Sequence, residues 1–289
     1  MTLLPRAIRM LPPSWIEYVS DLGVKYPLVA KCIRWAGTSM HQRDQIIARG
    51  FAKGLKINIG FSHVGYVLGT TEPDVQAALD MLLRPGMTVY DIGANVGFHA
   101  LSAARRIGPD AKVICFEPLP ENAKQIDYNA ASNNFTNIQV ITTALGSAEG
   151  EAAFWTSKQP TWGKLTSVGT KPDKFAKEVK VKICRLDTVV EDQKLPPPEL
   201  IKMDVEGAEM DVLEGARHTL ERYHPTLLIE AHGTNAAIEN FLLAIGYRVG
   251  VLGKNEPVAD AYWNAHIFAV AAEPANAEMT FDSLRNIQA

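Results

Sequence analysis

The sequence predicts an α/β protein: a doubly wound, mostly parallel sheet, closed by an antiparallel strand and preceded by a helical segment. Three observations predict it. From Met87 onward, short apolar runs alternate with helical stretches, as in strand–helix–strand units. The first of these strands runs directly into a glycine turn, Gly93 to Gly97, that opens a helix. The chain's 289 residues, 47% hydrophobic and 21% charged, suit one sizeable globular core with an appendage and are too few for two ordinary enzyme domains.

In chain order, residues 1–55 read as a helical N-terminal segment broken at Pro12-Pro13 and Pro27. Residues 56–272 read as the α/β domain and residues 273–289 as a loose polar tail. Residues 56–59 and 64–68 have strand character, and Pro73 suits the first turn of a helix that runs to Leu83 and stops at Arg84-Pro85-Gly86. Core strands are expected at 88–92, 112–116, 138–142, 200–205 and 226–231, with a closing antiparallel hairpin from 247–252 and 266–271. The intervening helices are expected to end near Arg106 and to span 121–134, 208–223 and 236–244. Residues 149–186 break the alternation: 151–155 and 179–185 read as antiparallel strands flanking a loop rich in Gly, Ser, Thr and Lys.

A net charge of −3 argues against a general nucleic-acid binder. The charge is uneven, because residues 1–56 hold nine Lys/Arg against Glu17, Asp21 and Asp44. This basic segment suits an anionic acceptor, peripheral contact with a membrane surface or an acidic partner; the alternative is a solvated helical cap or a contact between copies in a homo-oligomer. No apolar run reaches membrane-spanning length, and Arg6, Arg9, Pro12 and Pro13 interrupt any signal-peptide core. Cys32, Cys115 and Cys184 lie far apart without a CxxC pair, which reads as buried thiols in a reducing, cytoplasmic setting. The chain has no GxSxG, HExxH or phosphate-loop lysine motif, so hydrolase and NTPase chemistry lack support.

The most informative stretch is Val89-Tyr90-Asp91-Ile92-Gly93-Ala94-Asn95-Val96-Gly97-Phe98. Gly93 permits a tight turn at a strand's carboxyl end, and Gly97 lets the next helix pack closely. Glu117, with Pro118, closes the next strand, at the offset of an acid that reaches ribose hydroxyls. Together these features indicate a nucleoside-containing cofactor. A dinucleotide needs a third glycine for its pyrophosphate, where this chain has Asn95, and Asp91 would repel that pyrophosphate. S-adenosylmethionine carries an ammonium and a sulfonium in place of phosphate. Asp91 would attract the ammonium directly or through water, while the helix N-terminus receives the carboxylate. Thr143 and Ala144, after the third strand, are placed to border adenine.

Ligands of a doubly wound sheet meet the carboxyl ends of the strands. Asp204 ends the fourth strand, and Glu230 and His232 follow the fifth, so all three are expected to converge on one cleft. Lys202-Met203-Asp204-Val205-Glu206-Gly207-Ala208-Glu209, following Asp91-Ile92-Gly93-Ala94-Asn95-Val96-Gly97, resembles the FkbM-type methyltransferases. The resemblance spans about residues 70–250, with Glu117-Pro118 and Arg185-Leu186-Asp187 as further matches. It departs at Thr71-Glu72-Pro73-Asp74, where the family often has an aromatic residue ahead of Glu-Pro. It implies a Rossmann-like methyltransferase fold and methyl transfer from S-adenosylmethionine, usually to hydroxyl oxygens of sugars, polyketides or related metabolites.

Such chemistry benefits from a base for the hydroxyl proton or from a cation that acidifies it. His232 is the first candidate base, with Asp204 or Glu230 orienting it; alternatively the same three residues bind Mg²⁺. Glu206 and Glu209 read as caps of the following helix. His99 reads as a neutral structural residue, and His41, His63, His218, His224 and His266 have no constellation in sequence. Trp162, Lys164 and Ser167, in the long loop with Gly163 and Thr166, suit a sugar-containing or anionic acceptor. Two other readings stay open here: an NAD-linked oxidoreductase, and a non-catalytic nucleoside-binding module on the same scaffold.

Overall fold

The computed structural model describes residues 40–156, 163–165, 177–272 and 277–288. Its centre is a seven-stranded sheet. Strands β3 (Thr88–Ile92), β4 (Lys112–Phe116) and β5 (Ile138–Ile141) run parallel on one side of the switch point, and β10 (Leu200–Met203) and β11 (Thr226–Glu230) on the other. With β12 (Tyr247–Val251) and β13 (His266–Ala271), the order is β12-β13-β11-β10-β3-β4-β5. Strand β13 opposes both of its neighbours, so the reversed strand is inserted beside β11 and does not form the edge. All four residues of β10, and four of the five in β3 and in β4, are buried, as expected for strands covered on both faces.

Ahead of this sheet, β1 (Asp44–Ile46) and β2 (Lys56–Asn58) form a small antiparallel ladder. Met40, Ile47, Ala52 and Leu55 are buried with Ile57 and Ile59 against Phe98 and Leu101. Residues 40–55 therefore belong to the packed body as turns and a strand, in place of the expected helix; the rest of that helical expectation, residues 1–39, lies outside the described residues. Residues 64–68, expected as a strand, instead form one helical turn, α1 (Gly65–Leu68). Helix α2 (Pro73–Leu82) begins at its proline as expected.

Helix α3 (Phe98–Ile107) follows the glycine turn, and α4 (Pro120–Ser132) follows β4. The small strand β6 (Ala144–Leu145) leads into β7 (Gly150–Thr156), β8 (Gly163–Leu165) and β9 (Lys177–Cys184), a second sheet in the order β6-β9-β7-β8. The expected antiparallel pair over residues 149–186 is thus β7 with β9. Cys115 and Cys184 are free and buried. The helix expected over 208–223 is two, α6 (Glu209–Gly215) and α7 (Arg217–Tyr223), with α5 (Leu186–Asp192) beside them. Asp187 of α5 causes the break: its carboxylate accepts the amide hydrogens of His218 and Thr219 at 3.1 and 2.8 Å, capping α7 from outside the helix.

Helix α8 (Asn235–Ala244) precedes β12, and α9 (Ala277–Arg285) replaces the expected loose tail. Its Phe281 and Leu284 are buried, and the Phe281 ring lies 4.9 Å from that of Phe268. Their spacing of three residues puts both on one helical face, a signal that the polar composition around them obscured. Among the described residues, no helix is long and apolar enough to cross a membrane.

Two polar contacts tie the start of α2 to its neighbours, one to α3 and one to the sheet. Glu72, just before the helix, meets His99 Nε2 at 3.0 Å, and Asp74 meets His266 Nδ1 on β13 at 2.7 Å. Burial by itself would lower the His266 pKa, but Asp74, Glu230 and Glu72 outweigh it and hold the imidazole up at about 10. The stabilisation from protonated His266 is complete below the unfolded value of 6.5 and is lost as pH rises toward 10. Urea unfolding should therefore show stability falling across that window. His266→Gln should remove about 1–3 kcal/mol of the fall; an unchanged slope in the variant would assign the pH dependence elsewhere.

Candidate active site

A cleft opens at the carboxyl ends of β3, β4 and β10, where a doubly wound sheet meets its ligands. Gly93 forms its floor with φ +79°, and a Cβ there would collide with the carbonyl oxygen of Asp204. Only glycine permits that approach of β3 to β10. Gly97 starts α3 with φ +86°, and a Cβ would press on Ile126 of α4 at 3.2 Å. Its part is packing, outside the cleft's lining.

Glu117 forms one wall. Its carboxylate accepts the Asn95 amide at 2.8 Å, the Leu119 amide at 2.9 Å and the Asn122 side chain at 3.3 Å. Burial pushes its pKa up to about 7, against the pull of those three donors. Asn95 holds a left-handed φ of +51°, and its side-chain oxygen accepts a hydrogen bond from Ser62 at 2.8 Å. Pro118, Thr143, Ala144, Asp204 and Glu206 also line it. Thr143 is held there by hydrogen bonds from its hydroxyl to the carbonyl oxygens of Ala144 and Lys182, both at 3.1 Å.

Of the residues expected around a cofactor, Gly93, Asn95, Glu117, Pro118, Thr143, Ala144 and Asp204 meet in this one cleft. Asp91 does not line it. Asp91 is buried beneath, in register with Lys202 on the neighbouring strand, and burial raises its pKa while Lys202 and His99 oppose the rise. Of the two routes expected for Asp91 to attract a ligand ammonium, directly or through water, the direct one needs a place in the lining that Asp91 does not have; beneath the cleft its charge acts on Lys202 and His99. The sequence contained the acid but not the direction of its side chain.

Asp204, Glu230 and His232 also converge, each offering a ligand atom within 4.8 Å of the others. The partner that orients His232 is, however, Glu209 and neither Asp204 nor Glu230. Glu209 is fully buried; its carboxylate lies 2.8 Å from His232 Nδ1, and it accepts the Gly207 amide at 2.8 Å and the Thr234 hydroxyl at 2.9 Å. These donors outweigh the burial that would raise its pKa and hold it down, so it is ionised and His232 Nδ1 carries the hydrogen. Nε2 then faces Glu206 at 3.6 Å and Glu230 at 4.0 Å. Burial alone would lower the His232 pKa, but Glu209, Glu206 and Asp204 raise it.

Asp204 sits 3.6 Å from the buried Lys202 ammonium through one oxygen, and its other oxygen is buried with no hydrogen-bond partner among the described residues. Burial raises its carboxyl pKa, Lys202 opposing and Glu230 and Glu72 adding to the rise. His266, Glu72 and Asp74 complete the cluster: Glu72, Glu230 and His266 form a second group that offers three ligand atoms. His266 thus has a constellation that sequence spacing concealed, because the pairing of β13 with β11 sets it opposite Glu230. Glu209 had a usable signal: a second acid in the first turn of a helix whose preceding turn already carried Glu206. Trp162 and Ser167 lie outside the described residues, and Lys164 belongs to β8, where only the backbone is described.

The methyltransferase FkbM domain matches residues 91–249, more than half of the chain. The chain is 28% identical over 144 residues to the hexuronic acid methyltransferase AglP of Haloferax volcanii, covering 50% of this chain and 55% of that protein. It is 28% identical over 159 residues to the 2-O-methyltransferase NoeI of Sinorhizobium fredii, covering 50% and 63%. The match therefore spans less than two thirds of either relative's length. A crystal structure of a methyltransferase FkbM from Methylobacillus flagellatus has 18% identity and a TM-score of 0.45, covering 71% of this chain and 52% of that one. On the domain match across residues 91–249, which contains both sequence motifs and the Glu209–His232 pair, the chain belongs to the methyltransferase FkbM domain family.

Proposed function

We propose that the protein is an S-adenosylmethionine-dependent O-methyltransferase acting on a hydroxyl of a small, sugar-containing, polyketide or related molecule. The observation that carries this reading is the double position of Asp204, which lines the cleft beside Glu117 and belongs to the cluster of Glu230 and His232. A methyl donor in the first therefore adjoins an acceptor hydroxyl in the second. Bound S-adenosylmethionine supplies an electrophilic methyl group on a sulfonium.

The chain's own groups do the rest. Glu117 accepts the ribose hydroxyls, Gly93 admits the ligand close to the backbone, and Thr143 and Ala144 border the base. The carboxylates of Asp204 and Glu206 in the cleft lining favour a cationic sulfonium. His232 Nε2 accepts the acceptor's hydroxyl proton, while Glu209 fixes the tautomer and stabilises the resulting imidazolium. A second use of the same residues is favoured by the unpartnered buried oxygen of Asp204. Asp204, Glu230 and His232 would hold a divalent cation such as Mg²⁺, whose chemistry is to lower the pKa of the hydroxyl.

Calorimetry should detect binding of S-adenosylmethionine or its demethylated product, with none for NAD. Glu117→Ala should weaken the former by about 1–3 kcal/mol; tight NAD binding alone would sink the cofactor reading. Mass spectrometry of hydroxyl compounds incubated with the cofactor should reveal gain of one methyl group, and His232→Ala should slow it about a hundredfold. Because its neighbours raise the His232 pKa above 6.5, the rate should fall as pH drops through a value above 6.5, and Glu209→Gln should move that inflection down. EDTA separates the two uses of the cluster: full activity after chelation leaves His232 as the base, whereas loss restored by Mg²⁺ makes the three residues ligands.

A further inference from the structure

Two large aromatic side chains stand in solvent beside His232. Tyr262 is 67% exposed and Trp263 53%, their ring centroids 6.4 Å apart, and the Trp263 ring lies 5.7 Å from the His232 imidazole. The backbone that carries them is tied to the segment that carries His232. The Trp263 carbonyl accepts the Gly233 amide at 2.6 Å, and the Asn235 side chain donates to the carbonyls of Ala261 and Tyr262, both at 3.0 Å. The rings are thus held at a set distance from the candidate base while much of their apolar surface remains in water, an arrangement that contributes little to the core and is unfavourable until something covers it.

We propose that Tyr262 and Trp263 form the platform on which the acceptor's ring rests, and that the acceptor is a neutral carbohydrate. A pyranose has a face of C–H groups that packs on aromatic rings and a rim of hydroxyls that needs hydrogen-bond acceptors. The ionisable groups within 4.0 Å of His232 among the described residues are the carboxylates of Glu206, Glu209 and Glu230. Those at the cleft accept hydroxyl hydrogens, and they repel a sugar that itself carries a carboxylate. Stacking on Trp263 also sets which edge of the ring faces Nε2, so the platform selects the hydroxyl. The inference takes its reaction from the O-methyltransferase reading, but its binding claim stands on geometry alone.

The test uses the full chain saturated with S-adenosylhomocysteine. Methyl glycosides of neutral hexoses and deoxyhexoses, the matching hexuronates and non-carbohydrate alcohols are titrated with tryptophan emission and calorimetry as readouts. Neutral glycosides should perturb the emission and bind at least about tenfold more tightly than the matching hexuronates. Trp263→Ala and Tyr262→Ala should each lose about tenfold in that affinity, with Trp263→Phe keeping most of it. Affinity for S-adenosylhomocysteine should be the same in all three variants, which also establishes that they are folded. Tighter binding of hexuronates, alanine variants that bind like the parent, or no binding of any glycoside would overturn the platform. Neutral glycosides that bind through Trp263 but are never methylated would uphold the platform and sink the reaction reading instead.

Discussion

Lys202 lies in the carboxyl half of β10, 5% exposed, with its ammonium 3.6 Å from Asp204 and in the field of Asp91 and Glu72. Burial alone would lower its pKa, but the three carboxylates hold it well above the ordinary lysine value. Without this cation, Asp91, Asp204 and Glu72 would share a low-dielectric space with too little positive charge. Leaving a buried charge unpaired costs about 3–5 kcal/mol. Lys202 is therefore what allows acids to gather beneath the strand ends.

That charge balance is combined with backbone held in uncommon conformations. Glu72, Asn95 and Glu206 all have φ near +50°, and all three border the functional region. Asparagine tolerates this region more readily than glutamate does. At Glu72 and Glu206 the strain is offset by what the turn achieves: one turn brings a carboxylate to His99, and the other turns the chain so that Glu209 enters the helix facing His232. Gly93 acts in the same region by a different route, since its missing side chain lets the turn after β3 contact the end of β10 and joins the two halves of the site.

On the proposed reading, the site separates binding from proton handling. Glu117, accepting from three donors, is fixed in place as one wall of the cleft. The Glu209–His232 pair sits across Asp204 from that wall, with one imidazole nitrogen committed to Glu209 and the other turned toward carboxylates. Asp74 and His266 tie α2 to β13, and Glu72 ties its start to α3. His266 also lies 3.8 Å from Glu230, the residue it pairs with across β11 and β13.

Local pattern in the sequence determined the alternation of strands and helices, the glycine turn between Gly93 and Gly97, and the placement of Glu117, Asp204, Glu230 and His232 at strand ends. These follow from nearest-neighbour geometry: side-chain period, turn chemistry and the rule that ligands meet the carboxyl edge of a parallel sheet. Tertiary structure decided the rest. Whether Asp91 faces the cleft or Lys202 depends on which sheet face its strand position occupies. The helix expected over 208–223 breaks because Asp187 arrives from another helix to cap it. Glu209 became the partner of His232, and His266 the partner of Asp74 and Glu230, through pairings between segments 23 to 192 residues apart. Side-chain identity limits what each residue is able to do; only the packing of distant strands, set by burial of their apolar faces, determines which charges meet.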